Sequence, residues 1–430
     1  MFGIIILFAT CFFLPSSDTW PGWRALLPVV AVSLVLAMQC GTNMALANPI
    51  SQWIGLRSYS IYLWHWPFVV GLGIYGLHDN WKAIGAAIGA TLIIGSMSFR
   101  HIETPSRKKL SLFQAKTSWL IFAGALAVVA APASWLKESS SLPLRSKAAL
   151  TEARLADEPA FAPNWRPECF DGSQKNGCIY GNEPVGALMV GDSHASVTVT
   201  SLLRLMSKTY RGIRFWGKGA CMTVLEVASG DNIEGRQCKE FNTQTFNRLK
   251  AAPAGLPIVI VNRASLYPFG LYPVETHLPG RPQARLPDIL PENKDAYLAD
   301  YRRRLIATAC AYAETGHPVF YMLPIPEFNV NISNELARNL IRGNTPADIS
   351  IPLDDYLARN NFVISALEEA RAQCGIHLLD PTRYLCREGR CFGSQDGLPL
   401  FSDNNHINER GRRLISPMFN AVLVSAGMHQ

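Results

Sequence analysis

The hydrophobic positions of this chain are concentrated in its N-terminal third. Long apolar stretches alternate there with short polar connections, and a membrane-spanning helix needs about 20 apolar residues. From residue 137 onward the apolar runs are short and are separated by polar, helix-like segments. The pattern predicts an α-helical bundle of about five transmembrane spans, followed by a globular domain. The predicted spans are residues 2–14, 26–46, 58–77, 83–99 and 118–136.

In the C-terminal part, the hydrophobic pattern of buried strands alternates with that of helices. Strands joined by helices form parallel sheets that are covered on both faces. The pattern therefore predicts an α/β domain with a parallel sheet in three layers, over residues 166–430, after a polar linker at 137–165. The predicted strands are GALMVG (186–191), GLPIVIVNR (255–263), HPVFYMLPIP (317–326) and GIHLLD (375–380), and the clearest helices are 195–210 and 293–316.

The positive charges predict the orientation of the chain in a membrane. The connection after the fourth predicted span is rich in basic residues, and such loops lie on the cytoplasmic side. The last span then leads outward, so residues 137–430 are expected on the extracytoplasmic side, which in a bacterium is the periplasm or the outer surface. The net charge of +7 does not indicate nucleic-acid binding, because no basic stripe is interleaved with aromatic residues. The basic residues of the connection are Arg100, Arg107, Lys108, Lys109 and Lys116.

Eight of the ten cysteines fall in the globular part. An even number with close pairs is typical of disulfides formed in an oxidising compartment. The chain has no CxxC pair, so a zinc site is disfavoured and no metal is predicted. Spacing alone leaves the connectivity open. The favoured pairs are Cys169 with Cys178, Cys221 with Cys238, and Cys386 with Cys391, which leaves Cys310 with Cys374.

A serine and a histidine–aspartate pair are the candidate catalytic residues. In LMVGDSHAS, Ser193 follows a predicted strand and opens a helix, which places its hydroxyl at the carboxyl edge of the sheet. A serine hydroxyl needs a base, and FSDNNHINERG supplies His406, with Asp403 three residues earlier, about one helical turn away. Asp403 would fix the tautomer, and His406 would take the serine proton. The alternative is a helix-capping serine and a surface Asp-x-x-His.

The GDSH and DNNH segments together resemble the SGNH hydrolase superfamily, whose first block is GDS and whose last is DxxH. The resemblance implies Ser193 as nucleophile and Asp403 with His406 as the dyad. It also implies an oxyanion hole made by the N–H of Ser193, by Gly219 in GKGACM and by Asn262 in IVIVNRAS. The chain departs from the family in lacking a clean GxND block. Arg263 is an alternative donor, or a member of an ordinary ion pair.

The segments GLRSYSIYLWHWPFVV and SFRHIETPSRKKL resemble the acyltransferase-3 family of bacterial membrane enzymes. Many of its members carry an extracytoplasmic SGNH domain at the C-terminus, as in O-antigen and cell-wall polysaccharide O-acetyltransferases. Family members usually have more spans, and their acyl-donor motifs lie in the N-terminal ones. The chain thus resembles the C-terminal part of such an enzyme over residues 1–136, and a separate N-terminal membrane half is a possible partner.

Within these membrane motifs, His65 and Glu103 are the ionisable residues of interest. His65 lies among aromatic residues, so it is interpreted either as part of an interfacial aromatic belt or as a polar residue lining an acyl or sugar path. Glu103 is expected near the cytoplasmic interface, paired with Arg100 or Arg107.

The resemblance implies an acyltransferase in the cell membrane that moves an acyl group, most often acetyl, onto a sugar hydroxyl. Acetyl-CoA would be the acyl donor, and no tightly bound cofactor is expected. The expected partners are a bacterial surface polysaccharide such as lipopolysaccharide O-antigen, or a lipid-linked glycan, together with membrane lipid. The alternatives are a membrane-anchored carbohydrate esterase, which uses the same dyad with water, and a non-catalytic polysaccharide-binding scaffold.

Overall fold

The structure is a computed structural model in which two compact units divide the chain, Met1–Ser139 and Ser140–Gln430. The predicted span 2–14 and most of the predicted linker 137–165 lie outside the described residues. The structure describes residues 26–37, 47–77, 80–110, 113, 115–138, 167–170, 176–230, 233–272, 280–287, 289–342, 344 and 347–427.

The described part of the first unit is helical. One of its helices, Trp81–Lys109, is long and apolar enough to cross a membrane, and Thr117–Pro132 is a shorter apolar helix. The predicted bundle of five spans is therefore not confirmed. The helices are α1 (Leu26–Ala37), α2 (Pro49–Tyr75), α3 (Trp81–Ser98), α4 (Thr104–Leu110) and α5 (Ala115–Glu138), and a π-helical turn, Phe99–Glu103, joins α3 to α4.

Helices α2 and α3 form a hairpin with capped ends. The side chain of Asn48 accepts backbone N–H bonds at the start of α2, and Asn80 does the same for α3. Capping of this kind satisfies N–H groups that have no partner within the helix. At the crossing, a Cβ on Gly95 would lie 3.0 Å from Cα of Ile61, so the two backbones approach closely.

The second unit contains the α/β fold. Its helices, in chain order, are α6 (Ser193–Met206), α7 (Ile233–Lys250), α8 (Leu266–Phe269), α9 (Lys294–Ala313), α10 (Ile332–Ile341), α11 (Leu353–Cys374), α12 (Thr382–Leu385), α13 (Glu409–Ile415) and α14 (Asn420–Ser425). Its strands are β1 (Cys178–Tyr180), β2 (Val185–Gly191), β3 (Gly212–Gly217), β4 (Ala228–Ser229), β5 (Ile258–Val261), β6 (Ala284–Arg285), β7 (Val319–Met322), β8 (Ser350–Pro352), β9 (His377–Leu379), β10 (Cys386–Arg387), β11 (Arg390–Phe392), β12 (Ser394–Gln395) and β13 (Leu398–Pro399).

A six-stranded sheet in the order β1-β3-β2-β5-β7-β9 is the centre of this unit. The last five strands in that order run parallel, whereas β1 is antiparallel to β3. The sheet is thus mixed and mostly parallel, which corrects the prediction of a purely parallel sheet. Strand order reverses at β2, because the chain passes first to β3 on one side and later to β5 on the other. Such a reversal is where open α/β sheets bind ligands.

Alternating side chains of the strands form two hydrophobic cores, one on each face of the sheet. Ala187 and Met189 of β2 belong to the core that includes α6 and the C-terminal helices. Leu188 and Val190 belong to the other core, which includes α7, α9 and α11. Successive side chains of a strand point to opposite faces of the sheet, and both faces of this sheet are buried. Helices cover each face, so the unit has three layers.

The C-terminal segment returns to the face of the sheet that α6 covers. The hydroxyl of Ser416 donates to the backbone carbonyl of Ser201 in α6 at 2.7 Å. Arg204 of α6 forms an ion pair with Glu409 at the start of α13. These contacts hold the residues just before α13 close to the start of α6.

Four disulfides cross-link the second unit, and they are the four pairs that the sequence favours. The bond between Cys310 and Cys374 joins α9 to α11, with a separation of 64 residues along the chain. The others close shorter loops and are Cys169–Cys178, Cys221–Cys238 and Cys386–Cys391.

Candidate active site

The turn between β2 and α6 exposes one serine at the centre of the sheet. Gly191 ends β2, and Ser193 is the first residue of α6. A Cβ on Gly191 would lie 1.8 Å from the carbonyl oxygen of Val261 in the neighbouring strand, so only glycine fits there. Ser193 is partly exposed, whereas Asp192 and His194 on either side are buried. The turn therefore presents the serine hydroxyl at the point where strand order reverses.

Asp192 fixes the shape of this turn through three hydrogen bonds. One carboxylate oxygen accepts from the N–H of His194 at 2.9 Å. The other accepts from the N–H of Arg263 at 2.8 Å and from the hydroxyl of Tyr267 at 2.6 Å. Complete burial raises the pKa of the Asp192 carboxyl, and these hydrogen bonds offset part of that effect. Asp192 thus caps α6 and ties the turn to the end of β5.

Ser193, His406 and Asp403 form a continuous hydrogen-bonded relay. The Oγ of Ser193 lies 2.9 Å from Nε2 of His406, and Nδ1 of the same ring lies 2.7 Å from Oδ2 of Asp403. A carboxylate only accepts hydrogen bonds, so Nδ1 carries the imidazole proton and Nε2 accepts from the serine hydroxyl. This tautomer is the one in which His406 is able to act as a general base toward Ser193.

Asp403 is held as a carboxylate by its surroundings. Its second oxygen, Oδ1, accepts from the backbone N–H groups of Asn405 and His406 at 2.8 and 2.7 Å. Burial by itself raises the pKa of this carboxyl. The hydrogen bond and charge of His406, together with the two backbone bonds, outweigh burial and lower the pKa to about 2. The group is therefore ionised over the whole physiological range.

A closed loop, rather than the helical turn suggested by the spacing, brings Asp403 and His406 together. Phe401 and Ile407 pair as an isolated antiparallel bridge at its base, and the N–H of Ser402 donates to the carbonyl of His406 at 2.9 Å. The N–H of Phe328, in the segment after β7, donates to the carbonyl of Asn404 at 2.8 Å. Residues 401–407 are called the DNNH loop below.

The two remaining oxyanion-hole candidates are engaged in other hydrogen bonds. The N–H of Gly219 donates to the carbonyl of Phe170 at 3.3 Å. The amide oxygen of Asn262 accepts from the N–H and the hydroxyl of Thr223, and its nitrogen donates to the hydroxyl of Tyr321. The N–H of Ser193, as the first residue of a helix, has no acceptor within α6. Gly219 and Asn262 therefore stay predictions for this role.

Arg263, the alternative donor, forms a buried ion pair. Its guanidinium lies 2.5 Å from the carboxylate of Glu327, and both side chains are almost fully buried. Arg359 approaches the same carboxylate at 3.6 Å. The backbone N–H of Arg263 donates to Asp192, so Arg263 connects the serine turn to the segment after β7, which also contacts the DNNH loop.

Sequence reasoning did not single out Tyr267 or Asn405. Tyr267 contributes a hydroxyl to Asp192 from 75 positions away along the chain, and no local pattern marks it. Asn405 lies inside the DNNH segment itself. Only its being an asparagine, rather than another loop residue, could have indicated a hydrogen-bonding role. Both are buried: Tyr267 holds the turn residue Asp192, and Asn405 holds the catalytic candidate Asp403.

The structure places the two membrane-motif residues in the first unit. His65 lies on α2 with Nδ1 against the carbonyl of Tyr62, and the two rings are 5.3 Å apart. Glu103 ends the π-helical turn, where it accepts a 2.7 Å hydrogen bond from the hydroxyl of Ser60. Its ion-pair partner is Arg107, at 3.6 Å. Of the two expected partners, Arg107 is the one found.

The described residues contain no side-chain cluster of the kind that binds metal ions. Within those ranges no group of three or more His, Cys, Asp or Glu side chains is arranged to hold a metal ion. All eight cysteines of the second unit are in disulfides.

Comparison with known families gives a match that covers the α/β fold up to its last helix. The model of the family described as the SGNH domain fused to AT3 domains matches residues 164–421. This range includes the serine turn, the six-stranded sheet and the DNNH loop, and it is more than half of the chain.

Shorter matches connect the chain to two named enzymes. The peptidoglycan O-acetyltransferase OatA of Listeria monocytogenes is 40% identical over 98 residues, which are 18% of this chain and 15% of that protein. The O-acetyltransferase OatA of Staphylococcus aureus is 41% identical over 58 residues, 13% of this chain and 10% of that protein. The matched part of the chain thus spans only about a tenth to a seventh of these relatives.

The chain also aligns with a solved structure, the periplasmic domain of a lipopolysaccharide acetyltransferase from Salmonella ser. Paratyphi A. It aligns with a TM-score of 0.39 and 16% sequence identity, covering 60% of this chain and 86% of that domain.

Proposed function

This chain belongs to the family of SGNH domains fused to AT3 domains, and on that premise we propose that it transfers an acyl group, acetyl first of all, to hydroxyls of a bacterial surface polysaccharide. The observation that carries the proposal is the relay of Ser193, His406 and Asp403, with both hydrogen bonds within 2.9 Å. The resemblance over short stretches to two O-acetyltransferases supports acetyl as the group and a cell-surface glycan as the acceptor.

The proposed reaction has two steps. Ser193 Oγ attacks the carbonyl carbon of the acyl donor while His406 Nε2 takes the hydroxyl proton. The bond between the acyl group and its carrier breaks, and the carrier leaves with that proton, which gives an acyl ester on Ser193. In the second step a sugar hydroxyl attacks this ester, His406 takes the proton of that hydroxyl and returns it to Ser193 Oγ. The glycan ester is the product.

Asp403 supports both steps without changing its own protonation state. The imidazolium that forms on His406 lies 2.7 Å from a carboxylate whose pKa is about 2, so the proton stays on the ring. The N–H of Ser193 at the positive end of α6 is one donor toward the developing oxyanion. For Gly219 to be the second donor, its N–H must exchange the carbonyl of Phe170 for the substrate oxygen.

The proposed location is the cell membrane, with the SGNH domain on the extracytoplasmic side. Four disulfides support an oxidising compartment for that domain. The proposed acyl donor on the cytoplasmic side is acetyl-CoA, a substrate rather than a bound cofactor. The proposed acceptors are lipopolysaccharide O-antigen, another surface polysaccharide or a lipid-linked glycan.

A carbohydrate esterase is the second candidate function. The side chain of His406 is 20% exposed and that of Asp403 is 36% exposed, so water is able to reach the relay. Water in place of the sugar hydroxyl would release free acid from the same acyl-serine ester. Exclusion of water by a bound glycan would favour transfer instead.

The test uses the full chain expressed in bacterial membranes. O-acetyl groups are released from purified lipopolysaccharide and peptidoglycan by mild base and counted, for the wild type and for Ser193→Ala. Ser201→Ala is the matched control, because it removes another hydroxyl from α6 whose Oγ has no hydrogen-bond partner among the described residues. We expect acetylation with the wild type and S201A, and none with S193A.

Three results separate the candidates. Full acetylation with S193A would contradict the serine mechanism. Free acetate from an acetylated glycan, lost in S193A and accompanied by no transfer, would assign the esterase instead. An acetylated Ser193 peptide, found by mass spectrometry after an acceptor-free incubation, is expected under both catalytic functions and is absent for a binding scaffold.

A further inference from the structure

His194 joins the two chain segments that meet in the active site. It directly follows Ser193, and its side chain is 3% exposed. Its Nε2 lies 3.1 Å from Oδ1 of Asn405, which is 211 positions away along the chain and only one residue from His406. The bond therefore connects the serine turn to the DNNH loop independently of the Ser193–His406 contact.

The direction of this hydrogen bond follows from the asparagines. Nδ2 of Asn405 donates to Oδ1 of Asn404 at 2.9 Å, so the oxygen of the Asn405 amide is the atom that faces His194. An amide oxygen only accepts, and Nε2 of His194 must carry the proton. Burial first, and then the charges of His406 and Arg263, lower the pKa of His194 well below its usual value. His194 is therefore a neutral donor.

Asn405 passes this restraint to Asp403, and His194 itself contacts His406. The backbone N–H of Asn405 donates to Oδ1 of Asp403 at 2.8 Å. The ring of His194 also packs edge-on against the ring of His406, with centroids 5.1 Å apart and planes at 69°. The ring that takes the serine proton is thus held by Asp403 through Nδ1 and against His194 along one side.

We propose that His194 is a positioning residue of the acyl-transfer site: as a neutral imidazole it donates to Asn405 and holds the DNNH loop where Nε2 of His406 reaches Ser193. The inference rests on the proposed function, since it assigns His194 a role in that reaction. It takes no proton itself. A charged imidazole at this position would oppose the imidazolium that forms on His406, 5.1 Å away.

The test compares two substitutions at His194 in the full chain. His194→Leu keeps a buried side chain of similar size but removes the donor. His194→Gln places an amide N–H near the position of Nε2. We expect H194L to lower kcat for hydrolysis of a small acetyl ester by about 100-fold with little change in KM, because misplacement of a catalytic group by about 1 Å has that effect. H194Q is expected to restore most of the lost kcat.

His317→Leu is the matched control. His317 is also buried, at 5% exposure, and also makes one hydrogen bond, from Nδ1 to the carbonyl of Leu256 at 2.9 Å. His317 lies just before β7, at the amino ends of the parallel strands, whereas Ser193 lies at their carboxyl ends. H317L is expected to lose stability as H194L does and to keep the wild-type kcat.

A double-mutant cycle with Asn405→Ala isolates the bond. N405A alone is expected to lower kcat like H194L, and the double variant is expected to lose no more than the larger single effect. If leucine at 194 prevents folding, N405A with native His194 carries the same test. Three results would each overturn the inference. The losses of kcat in H194L and N405A are additive in the double variant; H194L or N405A keeps the wild-type kcat; or H194Q is as slow as H194L.

The acid limb of the pH–rate profile distinguishes positioning from proton transfer. The charged groups facing His194 are His406, Asp403 and Arg263, besides the adjacent Asp192. Because His194 stays neutral, H194Q should keep the wild-type acid limb, and a shift of that limb would contradict the positioning role. If the role of His194 alone is wrong, S193A is still inactive. If the proposed serine mechanism is wrong, S193A stays active, so the two failures are distinguishable.

Discussion

The carboxylate of Asp403 lies 2.7 Å from Nδ1 of His406, and its second oxygen receives the backbone N–H of that same histidine at 2.7 Å. One side chain thus fixes both the ring and the backbone of the proposed general base. The arrangement selects the tautomer with a free lone pair on Nε2, 2.9 Å from Ser193 Oγ.

Asp403→Asn should therefore remove activity with little effect on the fold. An asparagine is able to present its N–H to the ring, which leaves the proton on Nε2 and prevents it from accepting from Ser193. We expect acetyl transfer to fall by about 10⁴-fold, the effect of the equivalent substitution in a serine protease triad. The measurement is the initial rate of O-acetylation by the full chain. Asp380→Asn is the control, since Asp380 caps Thr382 after β9 without touching the relay. A D403N variant as active as D380N would contradict this role.

The contribution of Asp403 to stability should depend on pH in the acid range. Its pKa falls from an ordinary 3.8 to about 2 in the folded chain. A lowered pKa stabilises the fold above the ordinary value, and this contribution disappears as the pH falls from about 4 toward about 2. The difference in unfolding midpoint between the wild type and D403N should shrink over that window and be constant at neutral pH. A difference that grows on acidification would contradict the charged pairing.

Glu327→Gln should destabilise the second unit strongly. Glu327 is 3% exposed and neutralises Arg263 at 2.5 Å and Arg359 at 3.6 Å. Removal of one partner leaves buried charge uncompensated, at a cost of about 3–5 kcal/mol. Glu368→Gln is the control, because Glu368 pairs with Arg371 on the surface, where an ion pair contributes less than about 1 kcal/mol. The free energy of unfolding of both variants is measured with denaturant. Equal small losses would show that the buried ion pair stabilises the fold no more than the surface pair does.

The disulfides should differ in their contribution to stability according to the loop that each closes. Cys310–Cys374 spans 64 positions and Cys386–Cys391 spans five. Loop-closure entropy gives about 4 kcal/mol for the first and about 2 kcal/mol for the second. We expect the unfolding free energy to fall more when Cys310 and Cys374 are both replaced by alanine than when Cys386 and Cys391 are. A larger fall in unfolding free energy for the Cys386 and Cys391 replacement, measured under oxidising conditions, would contradict this expectation.

Most of the central sheet could be predicted from the sequence because its strands are continuous apolar runs. Strands β5, β7 and β9 lie inside predicted segments, and β2 begins one residue before its predicted segment, 186–191. Strand β3, Gly212–Gly217, was missed, since glycines flank it and Arg214 interrupts its apolar residues. Strand β1 has only three residues, and no local pattern marks its antiparallel pairing with β3.

The sequence by itself determined the local chemistry of the site. A glycine, a capping aspartate and the start of a helix follow one another within four residues, so GDSH was readable as a motif. The spacing of Asp403 and His406 was readable in the same way. Local patterns suffice for these features because their hydrogen bonds join residues within four positions of each other.

Only the tertiary structure decided which of these groups meet. The Ser193–His406 contact joins positions 213 apart, and the His194–Asn405 bond joins positions 211 apart. Both depend on the C-terminal segment returning to α6, which the buried contacts of the core on that face determine. Packing on the opposite face of the sheet committed Asn262 to Thr223 and Tyr321. Such partners have no signature in the chain, because burial selects them by shape and hydrogen-bond need rather than by sequence separation.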